Sequence, residues 1–388
     1  MKKISLNANT ILIISCFFCI LSQLPDLWGN FIISLTYSMG WIGLLILFLR
    51  KENYKIKIPK IIYFIPITFD LVLLLLQIMM GKNYISSNMF KPLNLCFFIS
   101  IIGYYLGKYY DYSLVTKIIK CFIFASFMIG ISIFNNTFRG IDWQNASGYL
   151  YIAKNSAAMI FLIAIIMVLI YLKDLKKVIA IPLLIFLLSL IIMLKSRATI
   201  VCLVFVILYI IIFYVKKPML KIILIVIFVS LTIFVFMNNS AYDFFINKII
   251  LNNRGSDNFT VITSGRDMHF NKFIKMFPKY FLFGTGGTYL ESFPLASLLS
   301  YGFFGGLLLI VYAFLPMIYV LKDLKYNFID KKLKHLILAI NTVMMINGLF
   351  EELTPLGPGV KCFVMWLLFG IYIGNLRRES KVDTIEKN

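Results

Sequence analysis

Residues 178–215 read VIAIPLLIFLLSLIIMLKSRATIVCLVFVILYIIIFYV, two apolar runs parted by one polar step, Lys195-Ser196-Arg197. Each run is roughly 17 to 18 residues long, enough for a helix to cross a hydrocarbon core of about 30 Å. Neither run alternates as a barrel strand would, so the pair predicts two spanning helices joined by a tight turn. Working outward, runs of this kind recur at about 10–25, 31–49, 60–80, 92–108, 114–134, 153–172, 178–194, 198–215, 219–237, 293–320, 334–350 and 359–375. Twelve such runs predict an all-α polytopic membrane protein, a single integral domain over residues 1–388. The composition agrees, with 61% hydrophobic and only 14% charged residues, where a soluble domain carries about 25% charge. The first run is followed by LPDLWGN and no small-residue cleavage site, which predicts a span and an interfacial turn rather than a signal peptide.

Charge predicts orientation. With a cytoplasmic N-terminus, 25 of the 38 lysines and arginines fall on the cytoplasmic side, seven in short outer loops and six in one long outer loop. This is the positive-inside pattern, and it puts both termini in the cytoplasm. The net charge of +21 then reflects topology and anionic lipid, and nucleic-acid binding is excluded for want of a soluble basic face. All six cysteines fall in the expected spans, so no disulfide framework is indicated. His269 and His335 come out on opposite sides, and no Cys/His spacing suggests a metal site.

The cytoplasmic loops are short and lysine-rich, with no phosphate-binding loop. The one sizeable polar segment, about 238–290, is expected outside, where no ATP is available. Within it AYDFFINKII and DMHFNKFIKMF carry apolar residues at helical spacing (Tyr242, Phe245, Ile246, Ile249; Phe270, Phe273, Ile274, Phe277), as interfacial helices do. No aspartate or glutamate lies in either span flanking Lys195 and Arg197. These cations therefore either snorkel to lipid phosphate or form a site for a multiply charged anion, which Arg266 would complete.

The ordered set KSRAT at the head of a span, a long loop with SGR, then FGTGGTYLESFPLASLLSYGFFGGLLL resembles the O-antigen ligase and polymerase superfamily. The resemblance covers roughly residues 135–310 and includes GYLYIAKNSAAM, where Asn155 falls near a family asparagine. It implies transfer of glycans carried on undecaprenyl diphosphate at the outer face of the bacterial cytoplasmic membrane, on a fold similar to multi-span glycosyltransferases. Flippases and chain-length regulators are the further partners it suggests. The ligase branch shows a histidine before the LxxLLxxxG helix; here the positions read Glu291-Ser292. That departure favours a repeat-unit polymerase over a ligase and leaves Glu291 as the substitute base, or as a helix cap shared with Ser292. Arg197 and Arg266 would stabilise the leaving diphosphate without a metal or cofactor, and direct displacement would invert the anomeric carbon. Lys195, Ser196, Arg139, Asn155, Ser264, Gly286, Gly287 and Tyr289 are the substrate-binding candidates.

Other residues keep competing readings. GTGG has no βαβ context and is expected to turn the backbone tightly into the tenth span. Trp143, near Arg139 and Asp142, would stack on a sugar or sit in the interfacial belt. Glu351 and Glu352 would bind sugar hydroxyls or be solvated. Asp70, inside the third run, suits a proton-coupled flippase or exporter, the alternative to glycosyl transfer.

Overall fold

The computed structural model describes residues 2–27, 29–53, 58–81, 84, 89–140, 149–171, 176–250, 260, 263, 265–324, 331–356 and 362–386. Among these residues there is no strand, and eight helices are long and apolar enough to cross a membrane. The chain is a multi-pass, all-helical membrane protein. Each expected run is helical: α1 Lys2–Leu21, α2 Phe31–Lys51, α3 Lys60–Met80, α4 Phe90–Tyr109, α5 Ser113–Phe138, α6 Tyr149–Ile170, α7 Lys177–Leu194 and α8 Arg197–Tyr209, the last extended by a wider π turn to Tyr214. Then come α9 Pro218–Met237, α10 Asn239–Tyr242 running on as π helix to Ile250, α11 Arg266–Met276, α12 Phe293–Asp323, α13 Lys331–Gly348 and α14 Phe363–Glu386. α9 buries none of its residues, and a helix so uniformly apolar is suited to lipid on every side.

Two glycine devices fix the packing. α4 carries Gly103 and Gly107, and α14 carries Gly370 and Gly374, a small-xxx-small pair on each helix. Added Cβ atoms would come within 2.3 Å of the Leu367 carbonyl, 2.1 Å of Ile371, 2.2 Å of Ser100 and 2.2 Å of Tyr104 respectively. The two backbones therefore touch, in parallel, along a seam that no other residue type permits.

The second device corrects the expected tenth span. α12 is not one rod: Gly302 has φ 66° and ψ −171°, a region open only to glycine. The chain folds back so sharply that a Cβ on Gly306 would lie 2.7 Å from the Leu298 Cα. A broken ladder buried among apolar side chains leaves amides and carbonyls that need protein partners. The glycine-rich strip supplies them. The Thr285 and Gly286 amides donate to the Leu299 and Ser300 carbonyls at 2.9 Å each, and the Phe303 amide donates to Phe281 at 2.7 Å. Tyr84 donates its hydroxyl to the Phe283 carbonyl at 3.2 Å from outside the strip.

Cross-helix contacts give the register. Tyr209 meets His335 at 3.0 Å and Cys202 meets the Val343 carbonyl at 3.6 Å, so α8 and α13 run antiparallel. The same register carries Arg197 to the level of Asn347 and Gly348. Lys334 donates to the Asp323 carbonyl at 2.5 Å and Asn341 to the Ala313 carbonyl at 3.1 Å, which sets α13 antiparallel to α12 and brings the Gly302 break to that end as well.

Gly302→Ala should therefore cost more than about 3 kcal/mol, since strain and a backbone clash coincide. Gly43→Ala, with open space around its Cβ, should be neutral or slightly stabilising. Thermal unfolding of both variants in detergent, beside their yields of monodisperse protein, tests the contrast; equal melting would show that the break is not obligatory.

Candidate functional site

Two clusters of the expected residues form at the end of the bundle where α8 begins and α13 stops. The first is the KSRAT turn. Lys195 closes α7 with φ 48° and ψ 41°, a left-handed conformation unusual for a side-chain-bearing residue. Ser196 is buried; its hydroxyl donates to Asn155 Oδ1 of α6 at 3.0 Å and shares a second 3.0 Å contact with Thr199. The KSRAT turn is thus tied to α6 through Asn155. Lys195 and Arg197 flank this anchor and are half-buried, so they do not simply project from the surface.

The second cluster joins the long loop to the glycine strip. α11 opens at Arg266 after Gly265, whose φ of 82° makes the tight entry. Asp267 accepts from the hydroxyls of Thr263 and Thr260, both at 2.7 Å. These bonds hold its carboxyl below the usual carboxylate range, Thr263 contributing first, and they tie the loop down beside Arg266. The Arg266 guanidinium faces Glu291 Oε2 from Nε at 3.4 Å. It also points Nη1 at the Thr263 carbonyl and Nη2 at the Phe350 carbonyl, again at 3.4 Å each. Charge-assisted bonds ordinarily close to about 2.7–2.9 Å. Among the described residues Arg266 thus has three polar contacts, each long, and the Phe350 ring at 5.6 Å.

Glu291 is not a helix cap. The cap residue of α12 is Ser292, and no side chain bonds to the helix amides there. Glu291 instead shares the neighbourhood with Tyr289, Glu351 and Glu352. Partial burial raises the Tyr289 hydroxyl above the ordinary phenol range, and the charges of Glu291, Glu352 and Glu351 push it further. It is a neutral donor at physiological pH. Its ring meets the edge of His269 with centroids 5.5 Å apart, and Thr354 donates to Glu351 at 3.2 Å.

The remaining candidates divide. Gly286 gives its amide to Ser300, so it serves the junction and has no N–H to offer a ligand, whereas Gly287 has open space around it and φ 144°. Arg139 is exposed at the end of α5. Ser264, Asp142 and Trp143 lie outside the described residues. Asp70 accepts from Asn94 at 3.3 Å. Sequence reasoning missed the Phe350 carbonyl and Tyr84, because a backbone acceptor and a lone tyrosine carry no motif. His335, with Tyr209 and Tyr214, is at the opposite end from His269. A scan of protein-family models finds no match for the chain, and no curated protein matches it.

The geometry separates the two clusters energetically. Ser196→Ala should destabilise by about 1–3 kcal/mol, because it leaves the Asn155 oxygen unpaired. Glu291→Gln should cost less than about 1 kcal/mol, since it removes only a partly exposed ion pair. Thermal melting in detergent distinguishes them; a large loss for Glu291→Gln would make that residue structural.

Proposed function

We propose that this protein is a glycosyltransferase that polymerises oligosaccharide repeat units carried on undecaprenyl diphosphate. The reading has twelve spans, both termini in the cytoplasm, and loop 238–290 on the outer face of a bacterial cytoplasmic membrane. The product would be a capsule, exopolysaccharide or O-antigen glycan. The observation that carries it is the Arg266 guanidinium beside Glu291, its three polar contacts among the described residues all at 3.4 Å. A partly exposed ion pair is worth about 0–1 kcal/mol, so a diphosphate offering bidentate bonds displaces Glu291 from Arg266 readily. Donor binding then frees the carboxylate when an acceptor needs it.

The reaction follows. The acceptor hydroxyl attacks the donor's anomeric carbon and gives its proton to Glu291. The bond from that carbon to the diphosphate oxygen breaks, and its electron pair leaves with the lipid diphosphate. Arg266, with Arg197 from the same end of the bundle, meets the developing charge. Tyr289, neutral and beside His269, supplies a hydroxyl donor and an aromatic face for a sugar, and Glu351 and Glu352 accept from sugar hydroxyls. Direct displacement inverts the anomeric centre, and the arginines supply the charge stabilisation in this scheme.

The alternative, a lipid-linked oligosaccharide flippase or exporter, draws on Asp70, a carboxylate within α3 whose partner is the neutral Asn94 amide. Asp70→Asn should lower folded yield more than turnover if the protein polymerises. A folded, abundant but inactive variant would favour the transporter, and ligase-type transfer to another acceptor would appear as a different product.

Sidedness is checked with a cysteine at the exposed Asn271 in a cysteine-free background: it should label with impermeant maleimide in intact cells or spheroplasts. Turnover is checked with purified lipid-linked repeat unit in the presence of chelator. Arg266→Lys and Arg197→Lys should each lower polymerisation on the order of a hundredfold, since lysine keeps the charge and loses the fork. Glu291→Gln should abolish polymer while donor binding persists or tightens. Normal polymerisation by both lysine variants would refute the diphosphate assignment.

A further inference from the structure

Away from this site, α5 and α7 run parallel and enclose an apolar groove of about 660 Å³. One end is shut where the helices touch. A Cβ on Gly130 would lie 2.6 Å from Leu190 and 2.9 Å from Phe186, and the rings of Phe127 and Phe186 meet edge to face at 5.5 Å. α6 packs against both helices. The other end is open, and there the lining changes character: Lys120 of α5 and Lys176, the residue that caps α7, stand exposed at the mouth.

Length and charge together identify the occupant. From Lys176 to Phe186 is ten residues of helix, about 15 Å, half of a hydrocarbon core of about 30 Å. The groove thus spans one leaflet, with its closed end near the midplane and its two ammonium groups at headgroup depth. An apolar trough one leaflet deep, ending in paired cations, matches a glycerophospholipid with an anionic headgroup: an acyl chain in the trough and the phosphate between the lysines. We propose that this groove is a specific binding site for one anionic phospholipid of the leaflet that Lys120 and Lys176 face. The site is independent of the polymerase reading.

The test uses the full chain, purified in detergent, titrated with phosphatidylglycerol or with phosphatidylcholine of the same acyl chains, and read by native mass spectrometry. One phosphatidylglycerol should remain bound under conditions that strip phosphatidylcholine. Lys120→Gln with Lys176→Gln should weaken retention by about tenfold or more. Lys216→Gln with Lys217→Gln, an equally large loss of charge at another helix end, should leave it unchanged. Leu183→Trp, which fills the groove without altering charge, should also displace the lipid while melting in lipid-free detergent stays within a few degrees of wild type. If Leu183→Trp fails to fold, Leu183→Phe repeats the same arm. Equal retention of the two phospholipids, equal loss in the Lys216/Lys217 control, or retention by a groove-filled variant overturns the proposal. So does displacement of phosphatidylglycerol by equimolar polyprenyl phosphate, which would make the groove a carrier-lipid site, or a change of oligomeric state in groove variants, which would make it a contact between copies.

Discussion

A backbone group buried away from water must find a protein partner, and the break at buried Gly302 shows what that demands. Once the helix folds back, the carbonyls of Leu299 and Ser300 need donors and the Phe303 amide needs an acceptor. The strip 281–286 provides all three. This exchange has a positional consequence. The strip cannot move without unpairing the break, so the residues that follow it, Tyr289 and Glu291, are fixed relative to the membrane helices. Gly284 and Gly302 each press against the backbone of the facing segment, with virtual Cβ contacts of 2.4 Å to the Ser300 carbonyl and 2.2 Å to the Leu282 carbonyl. A carboxylate can thus be held at the end of an apolar bundle through the backbone that precedes it.

The site built on this junction is rigid in its backbone and slack in its ionic contacts. α11 is tied down through Asp267 and its two threonine donors, and Ser196 ties the other cluster to α6. Yet among the described residues the polar contacts of Arg266 are all at 3.4 Å. Such a division suits a site for a large anion that arrives from the membrane: the scaffold sets position in advance, and the tight bonds are left for the ligand to complete.

How far the sequence was legible follows from these same residues. Helices are announced by apolar runs, because lipid imposes one requirement along a whole span; hence α2, α3, α7 and α9, and α8 together with its π continuation, begin and end within a residue or two of expectation. The break in α12 was hidden because SYGFFGG remains apolar on both sides of Gly302 and hydropathy does not sense φ. The glycine seam between α4 and α14 was hidden for a different reason: small-xxx-small spacing gains meaning only when the partner is known, and the partner is remote in sequence. KSRAT and SGR were legible as places where charge intrudes. That Arg266 would rest on the Phe350 carbonyl was not, since every residue has a carbonyl.

The seam also sets a clock on assembly. Tyr104 and Arg377, which meet across it, are separated by 273 residues, so at a synthesis rate of about 5–20 residues per second α4 waits roughly 15 to 55 s for its companion. Throughout that interval its bare glycine face is a ready dock for any passing helix. The nascent chain must therefore be sheltered as it inserts, and the order in which helices leave the ribosome becomes as much a part of folding as the packing they finally adopt.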